Sequence, residues 1–190
     1  MSWHAEALSA LKGSWLLLRL KDDEALAHFN FSESGFWRSF SAFIPAALIY
    51  LLAARLGIPA QAQTESQQAA ILGALIAGVL NLALQWIAWP LVMVPIARML
   101  RLARHYGAYI IVYNWASVLV LLIQVPPQAL YYAGLIGKEA AGFFSLVLLV
   151  LIMIYRWRIA RLALRAPALI AAALVLLDMV ISLAIFRLFM

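Results

Sequence analysis

The chain has 190 residues, of which 67% are hydrophobic and 12% charged, and it carries a net charge of +6. Soluble domains have about 45–50% apolar and about 25% charged residues, so this composition excludes an ordinary soluble domain and indicates a protein surrounded by lipid. The chain has no cysteine, which excludes disulfides, cysteine-based metal sites and thiol catalysis.

The pattern of apolar and polar side chains in residues 1–38 predicts an amphipathic N-terminal region on the cytoplasmic side. Bulky apolar side chains recur at helical spacing, which favours a helix that either lies on the membrane surface or packs on the ends of the bundle. The side chains of that face are Trp3, Ala7, Leu8, Leu11, Trp15 and Leu18. Asp22 or Asp23 is expected to be the N-cap of a short helix that runs towards His28.

Residues 39–190 predict a bundle of five transmembrane helices, so the fold class is all-α and polytopic. A helix needs about 20 apolar residues to cross a bilayer, and five segments approach this length: 40–56, 69–97, 107–125, 141–155 and 167–186. The second is long enough to tilt, protrude or kink at Pro90 or Pro95. The third is expected to stop at Pro126, and the fourth is so short that Lys138 and Arg156 must snorkel to the interfaces.

Between the first two spans, the composition of residues 57–68 predicts a solvated connector around Pro59.

The distribution of Lys and Arg predicts the orientation of the chain in the membrane, because cytoplasmic loops carry most of the Lys and Arg residues. Eleven lie on the side of the N-terminus and three on the other side. We therefore predict a multi-pass protein of a bacterial inner membrane, with the N-terminus inside and the C-terminus outside. The bilayer is its expected partner.

The basic residues stand singly or in short clusters between apolar runs rather than in a stripe along one surface. That pattern is typical of membrane topology signals, so we expect no nucleic-acid partner.

Polar side chains inside the spans mark a candidate site. Asp178, in the middle of the fifth span, is expected to face the bundle interior. Side chains at similar depth are its expected neighbours: Asn81, Gln85, Asn114, Ser117 and Ser145. The second span brings two of these inward on a close-packing stripe that starts at Gly73 and ends at Trp89. The cluster can be an ion or proton pathway, a set of interhelical hydrogen bonds, or a binding site for lipid or a small ligand.

Catalysis has little support in the sequence. The three histidines are scattered without the spacing of metal ligands, and no serine has an evident base in the spans. We therefore expect neither an enzyme, nor a cofactor, nor a metal.

Two short motifs occur where the chain enters the membrane. The first is Glu33-Ser34-Gly35-Phe36-Trp37 before the first span. The second is His105-Tyr106-Gly107-Ala108-Tyr109 at the start of the third. With the five spans, they resemble the entry motif and the Tyr-Gly-Tyr motif of the Yip family of Ypt/Rab-interacting membrane proteins and their bacterial relatives. The first motif lacks the family's Leu, Tyr and Pro, and Ala108 interrupts the second.

The resemblance implies a non-enzymatic membrane protein that organises or contacts other membrane components, such as a membrane-protein partner or further copies of itself. The alternative is a small ion- or proton-coupled transporter or channel subunit that uses Asp178. Physically, Gly35 is expected to break the incoming chain, Gly107 to allow a close backbone approach, and Tyr109 to anchor the third span at headgroup level. The two motifs are expected to meet on the cytoplasmic face.

Overall fold

The computed structural model of the chain describes residues 3–58 and 64–189, and the described part is all-α. Three short helices come first: α1 (Trp3–Leu18), α2 (Asp22–Leu26) and α3 (Glu33–Ser39). We call them the N-terminal layer. A 3₁₀ turn (Phe40–Ala42) joins α3 to α4 (Phe43–Leu56), and a second 3₁₀ turn (Ala103–His105) precedes α6. The remaining helices are α5 (Glu65–Met99), α6 (Tyr106–Tyr132), α7 (Lys138–Leu162) and α8 (Ala168–Arg187).

Five helical segments are long and apolar enough to cross a membrane, which agrees with the predicted fold class. They are Glu33–Leu56, Glu65–Met99, Ala103–Tyr132, Lys138–Leu162 and Ala168–Arg187. Successive spans run in opposite directions, so the bundle has one end that carries the N-terminal layer, called here the N-terminal side, and an opposite far side. The middle of the predicted connector, with Pro59, lies outside the described residues.

Helix α6 is the centre of the bundle. Two thirds of the residues in its most apolar stretch are buried inside the protein, whereas few residues in the corresponding stretches of α5 and α7 are fully buried. The N-terminal layer, α4, α5 and α7 all pack around α6. The leucines, isoleucines and valines on the outer faces of the other spans are exposed, as expected for surfaces that face lipid.

Two predicted span ends are wrong. Helix α6 continues through Pro126 and Pro127 to Tyr132, because transmembrane helices tolerate proline where neighbouring groups satisfy the freed carbonyls. Helix α7 continues through Arg156 and ends at Leu162, so its 25 residues exceed the about 20 needed to cross a bilayer. Helix α5 is a single helix of 35 residues through Pro90 and Pro95, about 52 Å long.

Helix α1 packs on the bundle with one side and leaves another side exposed. Of the predicted apolar face, Ala7, Leu11 and Leu18 are half-buried against the core. Half of the buried residues of α1 are small, namely Ala10, Gly13 and Ser14, and the others are Glu6, Leu16 and Leu17. Two bulky residues of the predicted apolar face, Leu8 and Trp15, are exposed. Small side chains let two helix backbones approach closely, and the two buried leucines add apolar contact area.

The acidic cluster at 22–24 does not cap α2. Lys21 occupies the N-cap position and makes no side-chain capping bond, while Asp22 and Asp23 lie in the first turn. Asp22 instead forms an ion pair with Arg158 of α7, and Glu24 lies 3.4 Å from the Lys21 ammonium. The cluster therefore fastens the N-terminal layer to the fourth span.

Candidate functional site

A buried polar network joins the three helices α6, α7 and α8 in the middle of the bundle. The Tyr113 hydroxyl donates a hydrogen bond of 2.9 Å to Oδ1 of Asp178. The guanidinium of Arg156 lies beside the same carboxylate, with 3.9 Å between its Nε and Oδ2 of Asp178. Arg156 also donates to the Ser117 hydroxyl at 3.2 Å. The side chains of Arg156 and Asp178 are 15% and 13% exposed, so the ion pair is largely shielded from its surroundings.

The position of each member follows from helix periodicity. Tyr113 and Ser117 are four residues apart, so they lie one above the other on one face of α6. The Ser117 hydroxyl donates back to the Tyr113 carbonyl at 2.7 Å, which fixes its orientation. Arg156 stands more than one turn before the end of α7 and stacks over the Tyr113 ring, 3.8 Å from its centroid. This cation–π contact adds to the stabilisation of the buried charge.

An aromatic layer lies on the N-terminal side of the network. Trp89 of α5 stacks on Tyr113 with 6.0 Å between ring centroids, and its indole Nε1 donates to the Tyr109 hydroxyl at 3.0 Å. Tyr109 is buried within the bundle, so the prediction that it anchors α6 at headgroup level is wrong. The layer separates the ion pair from the N-terminal side.

A cleft extends from the ion pair towards the far side. Its base is a cavity of about 250 Å³ lined by Asp178, Arg156, Ser117, Ser182 and Gln85 among others. Two further cavities of about 500 and 580 Å³ adjoin it, and Gln124 of α6 lines all three. Polar side chains thus line a continuous series of spaces inside the membrane-spanning part of the bundle.

The predicted polar residues divide between this cleft and the rest of the bundle. Gln85 donates to the Asn81 side-chain oxygen, and both line the cleft together with Ser117. Ser145 lines the outermost cavity, where its exposed hydroxyl donates to the Ala141 carbonyl. Asn114 does not join this cluster.

The side-chain nitrogen of Asn114 donates to Ser39 on the opposite side of α6, at 2.9 Å. Helices α5 and α8 do line one cavity with Gln85 and Asp178, as predicted, although the described partners of Asp178 come from α6 and α7. Gly73 has open space around it, so the predicted close-packing stripe of α5 does not begin there.

Three nitrogen donors around the cleft have no hydrogen-bond partner among the described residues: Asn81 Nδ2, Trp86 Nε1 and Arg156 Nη1. An unpaired buried donor costs about 1–3 kcal/mol. Such groups are rare in folded proteins, and water or a ligand satisfies many of them. The base of the cleft therefore offers donors beyond those needed for packing.

The two entry motifs lie against each other on the N-terminal side. The rings of Phe36 and Tyr106 are 6.1 Å apart, and a shallow groove of about 330 Å³ between them is also lined by Glu33 and Gly107. The Trp37 ring packs edge-on against Phe36, with 5.2 Å between ring centroids, and is 66% exposed.

The glycines of the two motifs have other roles than expected. Gly35 lies inside α3 rather than breaking the chain, and a Cβ there would collide with the Asn30 carbonyl. At Gly107 the nearest atom to an added Cβ is 4.0 Å away on Phe36, so no close backbone approach requires this glycine.

The sequence prediction missed Arg156 and Tyr113. Arg156 was counted as a loop charge because the fourth span seemed to end at Tyr155. The implausibly short span was the signal, since about 20 residues are needed to cross the bilayer. Tyr113 stands one turn before Ser117 on the same face, so it could have been found from the helical wheel. Among the described residues, no group of three or more His, Asp or Glu side chains could hold a metal ion.

Comparisons with models of known protein families, with curated proteins and with solved structures give no match for this chain.

Proposed function

We propose that this multi-pass membrane protein is a small, non-enzymatic transporter or channel subunit that carries protons through the cleft beside the Asp178–Arg156 pair. The observation that carries the proposal is the position of this pair at the base of a cavity that also exposes the polar side chains of Gln85, Ser117 and Ser182. Ionisable side chains within membrane spans commonly mark ion and substrate pathways. A purely structural pair would be expected in tight apolar packing instead.

The geometry of the ion pair leaves Asp178 free to bind a further group. A hydrogen bond between nitrogen and oxygen is about 2.7–3.2 Å long, so the 3.9 Å between Arg156 Nε and Asp178 Oδ2 is an ion pair without a hydrogen bond. Within the described residues, the hydrogen bond to Asp178 comes from Tyr113. A carboxylate has about four acceptor sites, so Asp178 keeps capacity for a proton, a cation or a donor group of a solute.

Proton flux into liposomes tests the proposal. Purified protein is reconstituted with a pH-sensitive dye inside, and a potassium gradient with valinomycin imposes a membrane potential. The protein is expected to acidify the lumen faster than empty liposomes. Asp178→Asn is expected to remove this flux per folded molecule, although the loss of the Arg156 counter-ion lowers the yield of folded protein. Glu139→Gln is the matched control, because it makes the same change from carboxylate to amide at an exposed residue that lines none of the three cavities.

Two results would count against a transporter. The first is a flux no faster than that of empty liposomes. The second is an Asp178→Asn variant that lowers the yield of folded protein while the remainder keeps full flux, which would make the residue structural.

The second candidate is an organising membrane protein, as the resemblance to the Yip family implies. The contact between Phe36 and Tyr106 favours it, because the groove beside them lies on the N-terminal side next to the exposed Trp37. Purification in mild detergent is then expected to recover a membrane-protein partner or a stable homo-oligomer, and Trp37→Ala is expected to release it. A lone monomer in wild type would oppose this function.

We also propose that the N-terminal side faces the cytoplasm of a bacterial cell. Without Arg156, which belongs to the ion pair, ten Lys and Arg remain on the N-terminal side against three on the far side. Single cysteines in the cysteine-free chain test this orientation. Cysteines at Thr64 and Glu139 are expected to react with an impermeant reagent from outside, and labelling at Arg101 or Arg161 from outside would reverse the topology.

A further inference from the structure

One side of α1 is apolar, exposed and bordered by positive charge. Leu8 is 69% and Trp15 48% exposed. Since an α-helix turns by about 100° per residue, these two side chains lie on one side of the helix, away from the buried Ala10. Lys12 and Arg19 border the same side, and both are exposed.

The depth of α1 places this side next to lipid. At one end, Trp3 Nε1 donates to the Ser41 hydroxyl at 2.7 Å, in the first candidate span. Further along, the Tyr155 hydroxyl of α7 donates to the Ser14 carbonyl at 2.8 Å. Both partners belong to membrane-spanning segments, so α1 crosses the bundle at the level of the span ends rather than above it. Its outward side therefore lies at the level of the lipid headgroups.

Lys12 and Arg19 are available to an external anion. The acids of the N-terminal layer are largely paired elsewhere: Glu6 with Arg38 at 2.9 Å, Asp22 with Arg158, and Glu24 with Lys21. In the part of the chain that the structure describes, Lys12 and Arg19 have no acidic partner. The fold thus leaves two cations free beside an apolar strip.

We infer that α1 is an interfacial helix that binds the headgroups of anionic phospholipids. Leu8 and Trp15 insert among the acyl chains, while Lys12 and Arg19 hold lipid phosphates by charge-assisted hydrogen bonds. The combination of an apolar face with flanking Lys and Arg is what binds helices to anionic membrane surfaces. This inference does not depend on the proposed transport of protons.

Quenching of Trp15 fluorescence by brominated lipids tests the inference in the full-length protein. The Trp15 signal is the difference between wild type and Trp15→Phe in liposomes of phosphatidylcholine that contain either brominated phosphatidylglycerol or brominated phosphatidylcholine. Half-quenching is expected at a lower mole fraction of the anionic lipid. In Lys12→Gln/Arg19→Gln, the preference for the anionic lipid is expected to fall roughly 25-fold at low salt, about fivefold for each charge.

The matched control is Lys138→Gln/Arg187→Gln, which removes two charges from the far side and is expected to keep the preference. A Trp15 signal insensitive to both brominated lipids would overturn the inference, since α1 would then lie outside the lipid. Equal quenching by the two lipids in wild type, or an undiminished preference in Lys12→Gln/Arg19→Gln, would overturn the role of anionic headgroups. Mass spectrometry of co-purified lipids gives a second readout, in which the same double variant is expected to lose bound phosphatidylglycerol.

Discussion

Replacing Arg156 by Met removes the cation beside Asp178 and leaves a shielded carboxylate with the Tyr113 hydroxyl as its described partner. At 3.9 Å and an effective dielectric constant of about 20, the attraction is about 4 kcal/mol. Removing one member of a buried pair costs about 3–5 kcal/mol. Because the cleft leaves both side chains slightly exposed, we expect the lower end, a loss of about 3 kcal/mol in the free energy of unfolding.

The double variant makes this prediction specific to the pair. Asp178→Leu alone leaves the guanidinium buried without its counter-ion and is expected to cost a similar amount. Arg156→Met/Asp178→Leu leaves no unpaired charge, so its cost is expected to be much less than the sum of the two single costs. Replacing buried ion pairs by apolar residues of similar volume is often neutral or even stabilising.

Reversible unfolding in mixed micelles, followed by tryptophan fluorescence, measures these free energies. Ser145→Ala is the control and is expected to change stability by less than about 0.5 kcal/mol, because its exposed hydroxyl bonds within its own helix. Strictly additive costs in the double variant would refute the reasoning, since additivity indicates that two residues do not interact.

Three further changes test the local geometry by the same unfolding assay. Gly35→Ala forces a methyl group onto a backbone carbonyl and is expected to cost about 1–3 kcal/mol, whereas Gly107→Ala has space and should change little; equal effects would contradict the difference in packing. Leu20 has a φ of 64°, so Leu20→Gly is expected to stabilise the protein by about 1 kcal/mol, and a loss of stability would oppose this. Asp22→Asn weakens the ion pair to α7 and is expected to cost about 1 kcal/mol, with Asp23→Asn as the neutral control.

The fold class follows from the sequence because lipid imposes a simple rule on span length and composition. The predicted ends of α6 and α7 were wrong because they were based on local signals, namely two prolines and an arginine, and not on the length needed to cross the membrane. Pro126 and Pro127 would end a helix in water, but the membrane removes the alternative of hydrating the chain. Arg156 was expected to leave the membrane, but Asp178 and Tyr113 supply the partners that hold it inside.

Of the ion pair in the candidate site, one member could be predicted from the sequence and the other could not. Asp178 stands out because a lone acid in an apolar helix has few explanations. Its partner Arg156 lies among Arg158, Arg161 and Arg165, where one arginine among several near a span end gives no signal of its own. Likewise, the apolar face of α1 could not be assigned to the bundle or to the membrane surface, because hydropathy identifies an apolar surface without distinguishing protein from lipid as the medium that covers it.

The contact between Ser14 and Tyr155 constrains the order in which the molecule can be built. The two residues are 141 positions apart, so the ribosome completes α1 long before α7 exists. The docking surface for α1 lies mainly on α6, so it is missing until the third span has been made, and it is complete only once α7 has been added. A nascent chain halted after α5 is expected to present α1 undocked and open to proteases, and the bond between Ser14 and Tyr155 forms only after the fourth span exists.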